Sequence, residues 1–143
     1  MEVINELHPS DPKQIEQMAE EGPAGPIFMV NLLRFKEKAE YEDGRATDLT
    51  GREAYNLYAK EVVKLIQEFD GKIVFAGDVT FLALGQVEEM WHEVAIATYP
   101  NRNALFRMAT SQKWQDIAVH RTAGLDGQLN IETVLPPHAM GQS

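Results

Sequence analysis

Few side chains in this sequence have both the type and the setting that binding or catalysis needs, and Asn31 is the foremost. It stands in Ile27-Phe28-Met29-Val30-Asn31-Leu32-Leu33-Arg34-Phe35, a run otherwise apolar as far as Arg34. A lone amide among apolar neighbours costs about 1–3 kcal/mol unless it is hydrogen-bonded. Asn31 therefore either pairs with neighbouring backbone or side chains, or points into a pocket and orients a ligand carbonyl. Arg34, in the same run, has a planar fork that can hold a carboxylate bidentately, although a surface ion pair is the more ordinary role. Tyr55 and Tyr58 are spaced about one helical turn apart. They either fill core with their hydroxyls at its rim or line a pocket mouth. His92 follows Trp91, and His120 precedes Arg121. Imidazole alone titrates near neutrality when unperturbed, so a proton-transfer reading starts with His92 and then His120. The ordinary alternatives are a hydrogen-bonded or solvated ring at a strand edge, and a cation favoured by the dipole of a helix end.

Several chemistries are set aside by what the chain lacks. It has no cysteine, hence no thiolate site, catalytic thiol or disulfide. The four histidines, which include His8 and His138 near the ends, are far apart and form no His-x-x-x-His pair. No metal is expected from that spacing. Asp43 and Asp48 do not make a calcium loop. Gly22-Pro23-Ala24-Gly25-Pro26 is broken by proline and leads into a strand, so it is no phosphate loop. Ser10, Ser111 and Ser143 lie in no nucleophile elbow. No cofactor is expected. The net charge of −9, with arginines scattered singly, argues against a nucleic-acid partner. No run of about 18 apolar residues predicts a membrane span. Met1 to Glu6 lacks the basic-then-apolar pattern of a signal peptide, which leaves a cytoplasmic location as the expectation.

The elements that must position these residues follow from local signals. Asp11-Pro12 opens a short helix, and Gly22 ends it. Ile27 to Phe35 is a strand. Lys36 to Leu49 is a polar loop, long enough to be either mobile or a lid. Thr50-Gly51-Arg52-Glu53 is a capping box, and the helix behind it runs to about Phe69, with Gly71 as its stop. Lys72 to Ala76 and Val79 to Gln86 read as two short strands around a Gly77-Asp78 turn or bulge. Trp91 to Tyr99 is a strand ended by Pro100. Asn101 and Ser111 cap two successive helical stretches, and Gln128 to Val134 is the last strand. One domain is expected over 1–143, with a helical extension (1–26), a core (27–135) and a tail (136–143). The core order is β-α-β-β-α-β with a doubled second strand: an α+β, ferredoxin-like antiparallel sheet with helices on one face.

An antiparallel sheet with one solvated face should alternate apolar and polar residues. Ile27-Phe28-Met29-Val30, Ile73-Val74-Phe75-Ala76, Phe81-Leu82-Ala83-Leu84 and Val94-Ala95-Ile96-Ala97 do not alternate. Both faces must be buried, because a monomer exposing several hundred Å² of apolar sheet exceeds what soluble proteins tolerate. A second copy related by a two-fold axis is the simplest cover, so a homodimer is expected.

These segments carry a resemblance. Met29-Val30-Asn31-Leu32-Leu33-Arg34-Phe35, the Tyr55–Tyr58 helix, the Gly77 turn, Tyr99-Pro100-Asn101-Arg102, Ser111-Gln112-Lys113-Trp114 and His120-Arg121 resemble the domain-of-unknown-function family numbered 1330. That family belongs to the dimeric α+β barrel superfamily, and the likeness spans roughly residues 27 to 135. It implies the fold and the dimer but carries no catalytic signature. Two functions stay open. One is a dimer whose pocket, between sheet and helices, takes a small, partly apolar molecule. The other is an enzyme like the cofactor-independent monooxygenases or isomerases of the superfamily. The haem-degrading members use an Asn, a Trp and a His. Asn31, Trp91 and His120 superficially match that set, with only Asn31 on the expected strand.

Overall fold

The computed structural model describes residues 3–4, 6–8 and 11–137. Ser10, Ser143, His138 and the tail beyond Pro137 lie outside these residues. Helix α1 (Pro12–Ala19) starts at Asp11, whose carboxylate accepts from the Lys13 amide at 2.9 Å. Strand β1 (Ile27–Phe35) follows. Helix α2 (Gly51–Glu68) begins with the full capping box: Glu53 N–H donates to the Thr50 hydroxyl, and Thr50 N–H donates to the Glu53 carboxylate. After it the left-handed position is taken by Asp70 (φ 65), and strand β2 (Lys72–Asp78) leaves from there. Strand β3 (Glu93–Tyr99) leads to helices α3 (Arg102–Ala109) and α4 (Gln112–Gly124), capped by Asn101 and Ser111. Strand β4 (Leu125–Thr133) starts directly after α4. The four strands form one antiparallel sheet in the order β2-β3-β1-β4, the ferredoxin-like arrangement.

One predicted strand is absent. β2 runs straight through Gly77, which pairs with Val94, so there is no turn at that point. The irregularity falls earlier, between Ile73 and Phe75. Gly77 is needed for another reason: a Cβ there would lie 2.8 Å from the Phe75 ring, which rests over it. Val79 to Gln86 is irregular and joins neither free edge of the sheet, those of β2 and β4. Without a ladder partner its apolar residues cannot make a strand. Phe81 and Leu84 are left 81% and 91% exposed.

The two faces of the sheet differ. Ile27, Met29, Leu33 and Phe35 of β1 are buried on the face that carries the helices, together with Ala97, Tyr99 and Leu125. Tyr55, Tyr58, Leu65 and Ile66 of α2 close this core from the other side. The opposite face has no covering element among the described residues. Cross-strand registers arrange it in rows. Phe75, Ile96, Val30 and Ile131 form one, and Gly77, Val94, Leu32 and Leu129 form the next. Phe75 and Ile131 are 54% and 45% exposed.

The 36–49 connection is fastened rather than loose. Lys36 N–H and Glu40 N–H donate to the carbonyls of Gly124 and Ala123, at 2.8 and 3.0 Å, and Ala39 N–H donates to the Leu49 carbonyl. Ala39 and Tyr41 bury against Ala54 and Ala123 in a small second core. The start of α2 meets the end of α4 there at backbone contact. A Cβ on Gly124 would lie 2.3 Å from the Gly51 carbonyl oxygen.

Candidate functional site

β1 and β4 pair so that Asn31 lies opposite Asn130 and Leu33 opposite Gln128. Asn31 therefore faces the helix layer, as Met29 and Leu33 do. Its Nδ2 donates to the carbonyls of Met29 and Ala95 at 3.2 and 3.3 Å, which spends the amide on backbone. Its Oδ1 accepts from Gln128 Nε2 at 2.7 Å, and Gln128 Oε1 in turn accepts from Arg121 Nη2. Arg121 Nη1 donates to the Leu7 carbonyl at 2.9 Å. The guanidinium lies 6.0 Å from the Trp114 ring, whose indole N–H donates to the Tyr58 hydroxyl at 3.1 Å. A continuous polar chain thus links β1, β4 and α4, with aromatic side chains beside it. Burial pulls Arg121 below the usual guanidinium range, and the phenols of Tyr58 and Tyr55 act against that shift. Burial also raises both phenols. The arginine stays a cation in any ordinary solvent.

His92 belongs to a second group, at the other end of β1. Its Nδ1 accepts from the Phe35 amide at 2.9 Å, and its ring stacks on Phe35 at 5.8 Å. Tyr55 packs on the same Phe35 ring at 5.3 Å, and the Arg52 guanidinium lies 4.5 Å above it. Arg52 bridges Asp78 and Glu93 at 2.9 and 3.4 Å. Burial first, then Arg34 and Arg52, hold the His92 imidazole below its usual value. An Nδ1 that accepts from a backbone amide leaves the proton on Nε2.

The other expected residues stand apart from both groups. His120 Nδ1 is 2.6 Å from the Tyr41 hydroxyl, and the Arg45 guanidinium lies 4.5 Å from the centre of that phenol ring. Burial and Arg45 lower the His120 imidazole as well. Arg34 faces away from the helices and pairs with Glu89, and with Asp126 at 3.7 Å. Its Nε is buried without a partner. Trp91 is half-buried just ahead of β3. An open hollow of about 510 Å³ lies in the 36–49 segment, lined by Lys38, Tyr41, Arg45 and Asp48 among others. Another of about 340 Å³ lies between α2 and α4, beside Glu61, Leu65, Lys113 and Ile117. None of the residues singled out from the sequence as site candidates lines either hollow. Among the described residues no cluster of His, Asp and Glu is arranged to hold a metal ion, and no helix is long and apolar enough to cross a membrane.

Arg121 and Gln128 are what sequence reasoning passed over. Arg121 read as one of the singly scattered arginines, and Gln128 as the first residue of the last strand. Alternation separates two faces without saying which one the helices take. Here Gln128, Asn130 and Glu132 share the helix side, and Leu129 and Ile131 face away.

Comparisons with known proteins agree with this architecture. A protein of unknown function from Rhodopseudomonas palustris has been solved twice. Its methylated form is 30% identical, with a TM-score of 0.82 over 93% of this chain and 97% of that one. The other structure is 27% identical, with a TM-score of 0.81 over 93% and 100%. A Bacteroides fragilis protein, described as dimeric, of unknown function and ferredoxin-like, shares the fold alone, at 10% identity and a TM-score of 0.51 over 77% and 96%. A search of curated proteins found no match. The family model for the domain of unknown function DUF1330 matches residues 44–133, beginning after β1 and ending with β4. With that match over more than half its length, the chain belongs to the DUF1330 family.

Proposed function

We propose that this chain is a homodimeric α+β barrel protein that binds a small, partly apolar molecule between its sheet and its helices. The carrying observation is the uncovered sheet face. Two adjacent rows across all four strands are apolar, while the flanking row holds Lys72, Thr98 and Thr133 beside Phe28. An apolar centre with a polar margin is how a protein interface is built. The Bacteroides fragilis protein of similar fold is described as dimeric, which agrees with this reading. The unit proposed is the 27–135 core, with residues 1–26 as an N-terminal extension and 136–143 as a tail.

Binding is favoured over turnover because the two histidines stand in separate groups with different partners. The Nδ1 of each is engaged within the chain, by the Phe35 amide and by the Tyr41 hydroxyl. Both rings are held toward the neutral form. The Asn31, Trp91 and His120 set of a monooxygenase-like enzyme is divided among unrelated partners. In the proposed binder, Asn31 acts through Gln128, which it holds, and Tyr55 and Tyr58 form an aromatic wall, while Arg34, facing away from the helices, and Trp91, just ahead of β3, lie outside that wall. Light scattering across micromolar concentrations tests the dimer: twice the single-chain 16.1 kDa is expected, and a constant 16.1 kDa would sink it. Native mass spectrometry of the gently purified protein tests the binding, and a small co-purified mass is the expected result.

A further inference from the structure

Most residues that face a helix layer are apolar, yet β4 presents Gln128, Asn130 and Glu132 there. Asn130 is exposed. Glu132 is neutralised by Arg102, which reaches it twice, at 2.6 and 2.8 Å. Arg121 has no such partner: no carboxylate of the described residues lies within ion-pair distance of it. Both its hydrogen-bond acceptors are neutral, the Leu7 carbonyl and Gln128 Oε1. Burying part of a cation with only neutral acceptors costs free energy that an anion would return. The acceptor on Nη1 comes from the N-terminal segment, whose Leu7 side chain packs on the main core.

We propose that Arg121 is the binding site for the carboxylate of a small apolar acid, and that the Leu7 carbonyl holds the place of that carboxylate when no ligand is bound. The assignment rests on the pocket reading above and names its ligand class. Gln128, itself held by Asn31, fixes the guanidinium from behind, so the fork is oriented before the acid arrives. The planar fork matches a carboxylate in two parallel hydrogen bonds. A single cation suits a monoanion, since a dianionic phosphate would leave one charge unbalanced in a partly desolvated place. The apolar body of the acid would lie by Trp114, which is within 6.0 Å of the guanidinium and bonded to Tyr58, and it would displace Leu7 from its place against the core.

The test is a titration of the ¹⁵N-labelled full chain with benzoate, phenylacetate and 3-methylbutanoate, each matched with its neutral amide. The signals followed are the Trp114 indole N–H and the Leu7 amide. The acids should move both together and bind about tenfold or more tightly than their amides, because an amide leaves the cation uncompensated. Arg121→Gln should remove the preference for acids, and Arg121→Lys should keep only part of it. Leu7→Ala should tighten acid binding by about threefold to tenfold, because the competing closed form loses its anchor. Acids and amides binding alike, or a preference for acids that survives Arg121→Gln, would overturn the carboxylate site and leave the pocket reading standing. Inorganic phosphate competing on equal terms would overturn it in favour of a general anion site. If no probe moves Trp114 at millimolar concentration the carboxylate site is overturned, and the pocket reading then stands or falls on the co-purified mass. The wild-type comparison of acid with amide needs no variant to fold.

Discussion

At the scale of single residues, the histidines act as acceptors in the fold. The His92 ring closes the end of β1 by taking the Phe35 amide, and only a neutral imidazole can do so. Its pKa in the folded chain is held below the ordinary 6.5 by burial, Arg34 and Arg52. The unfolded chain therefore takes up its proton first as pH falls. The stability that neutral His92 contributes is complete above about 6.5 and is lost as pH drops through the lower folded value. Urea unfolding of the wild type should show weaker stability at about pH 5.5 than at about pH 7.5, and His92→Gln should show a smaller difference. His120, lowered in the same direction, keeps part of the dependence in that variant. Equal differences in the two proteins would mean that the Phe35 amide does not draw on the imidazole.

At the scale of elements, the joint between α2 and α4 is set by two glycines. A Cβ on Gly51 would fall 2.0 Å from the Lys36 carbonyl oxygen and 2.7 Å from that of Gly124. These are backbone atoms, and no rotamer change can move them aside. Gly51→Ala should destabilise the fold by about 1–3 kcal/mol or more, read from chemical denaturation, and should loosen the 36–49 segment bound to the same joint. A loss below about 0.5 kcal/mol would show that the helices do not meet so closely. Thr50 and Glu53 announced this helix in the sequence, because a cap is a contact between near neighbours; so did Asp11, Asn101 and Ser111 for theirs. The tight joint was not legible, because Gly51 inside a capping box reads as an ordinary helix start. Val79 to Gln86 failed for the opposite reason. Phe81-Leu82-Ala83-Leu84 has strand composition, but a strand exists only where the chain is laid along a partner edge, and this segment is laid along none. Arg121 could be seen as a cation and no more, since lacking a carboxylate partner is a property of the folded neighbourhood.

At the scale of the whole molecule, the apolar runs of β1, β2 and β3 demand burial on both faces, and the helices supply it on one. Ile96 sits at the middle of the uncovered face, flanked across the strands by Val30 and Phe75. It is only half-buried in the single chain, so a charge there need not disturb the core beneath. In a dimer closed through this face a carboxylate at that position would lose its water without gaining a partner. Ile96→Asp should weaken association by about 2 kcal/mol or more, close to thirtyfold in the dissociation constant. Light scattering should then report a mass near the single-chain 16.1 kDa, with the far-ultraviolet dichroism of the wild type retained. Val119→Asp is the matched control. Val119 lies on α4, is 42% exposed, and belongs to the helix side of the molecule, so that variant should remain a dimer. A dimeric Ile96→Asp beside a monomeric Val119→Asp would place the contact on the helices instead, and the two-row apolar face would then need another partner.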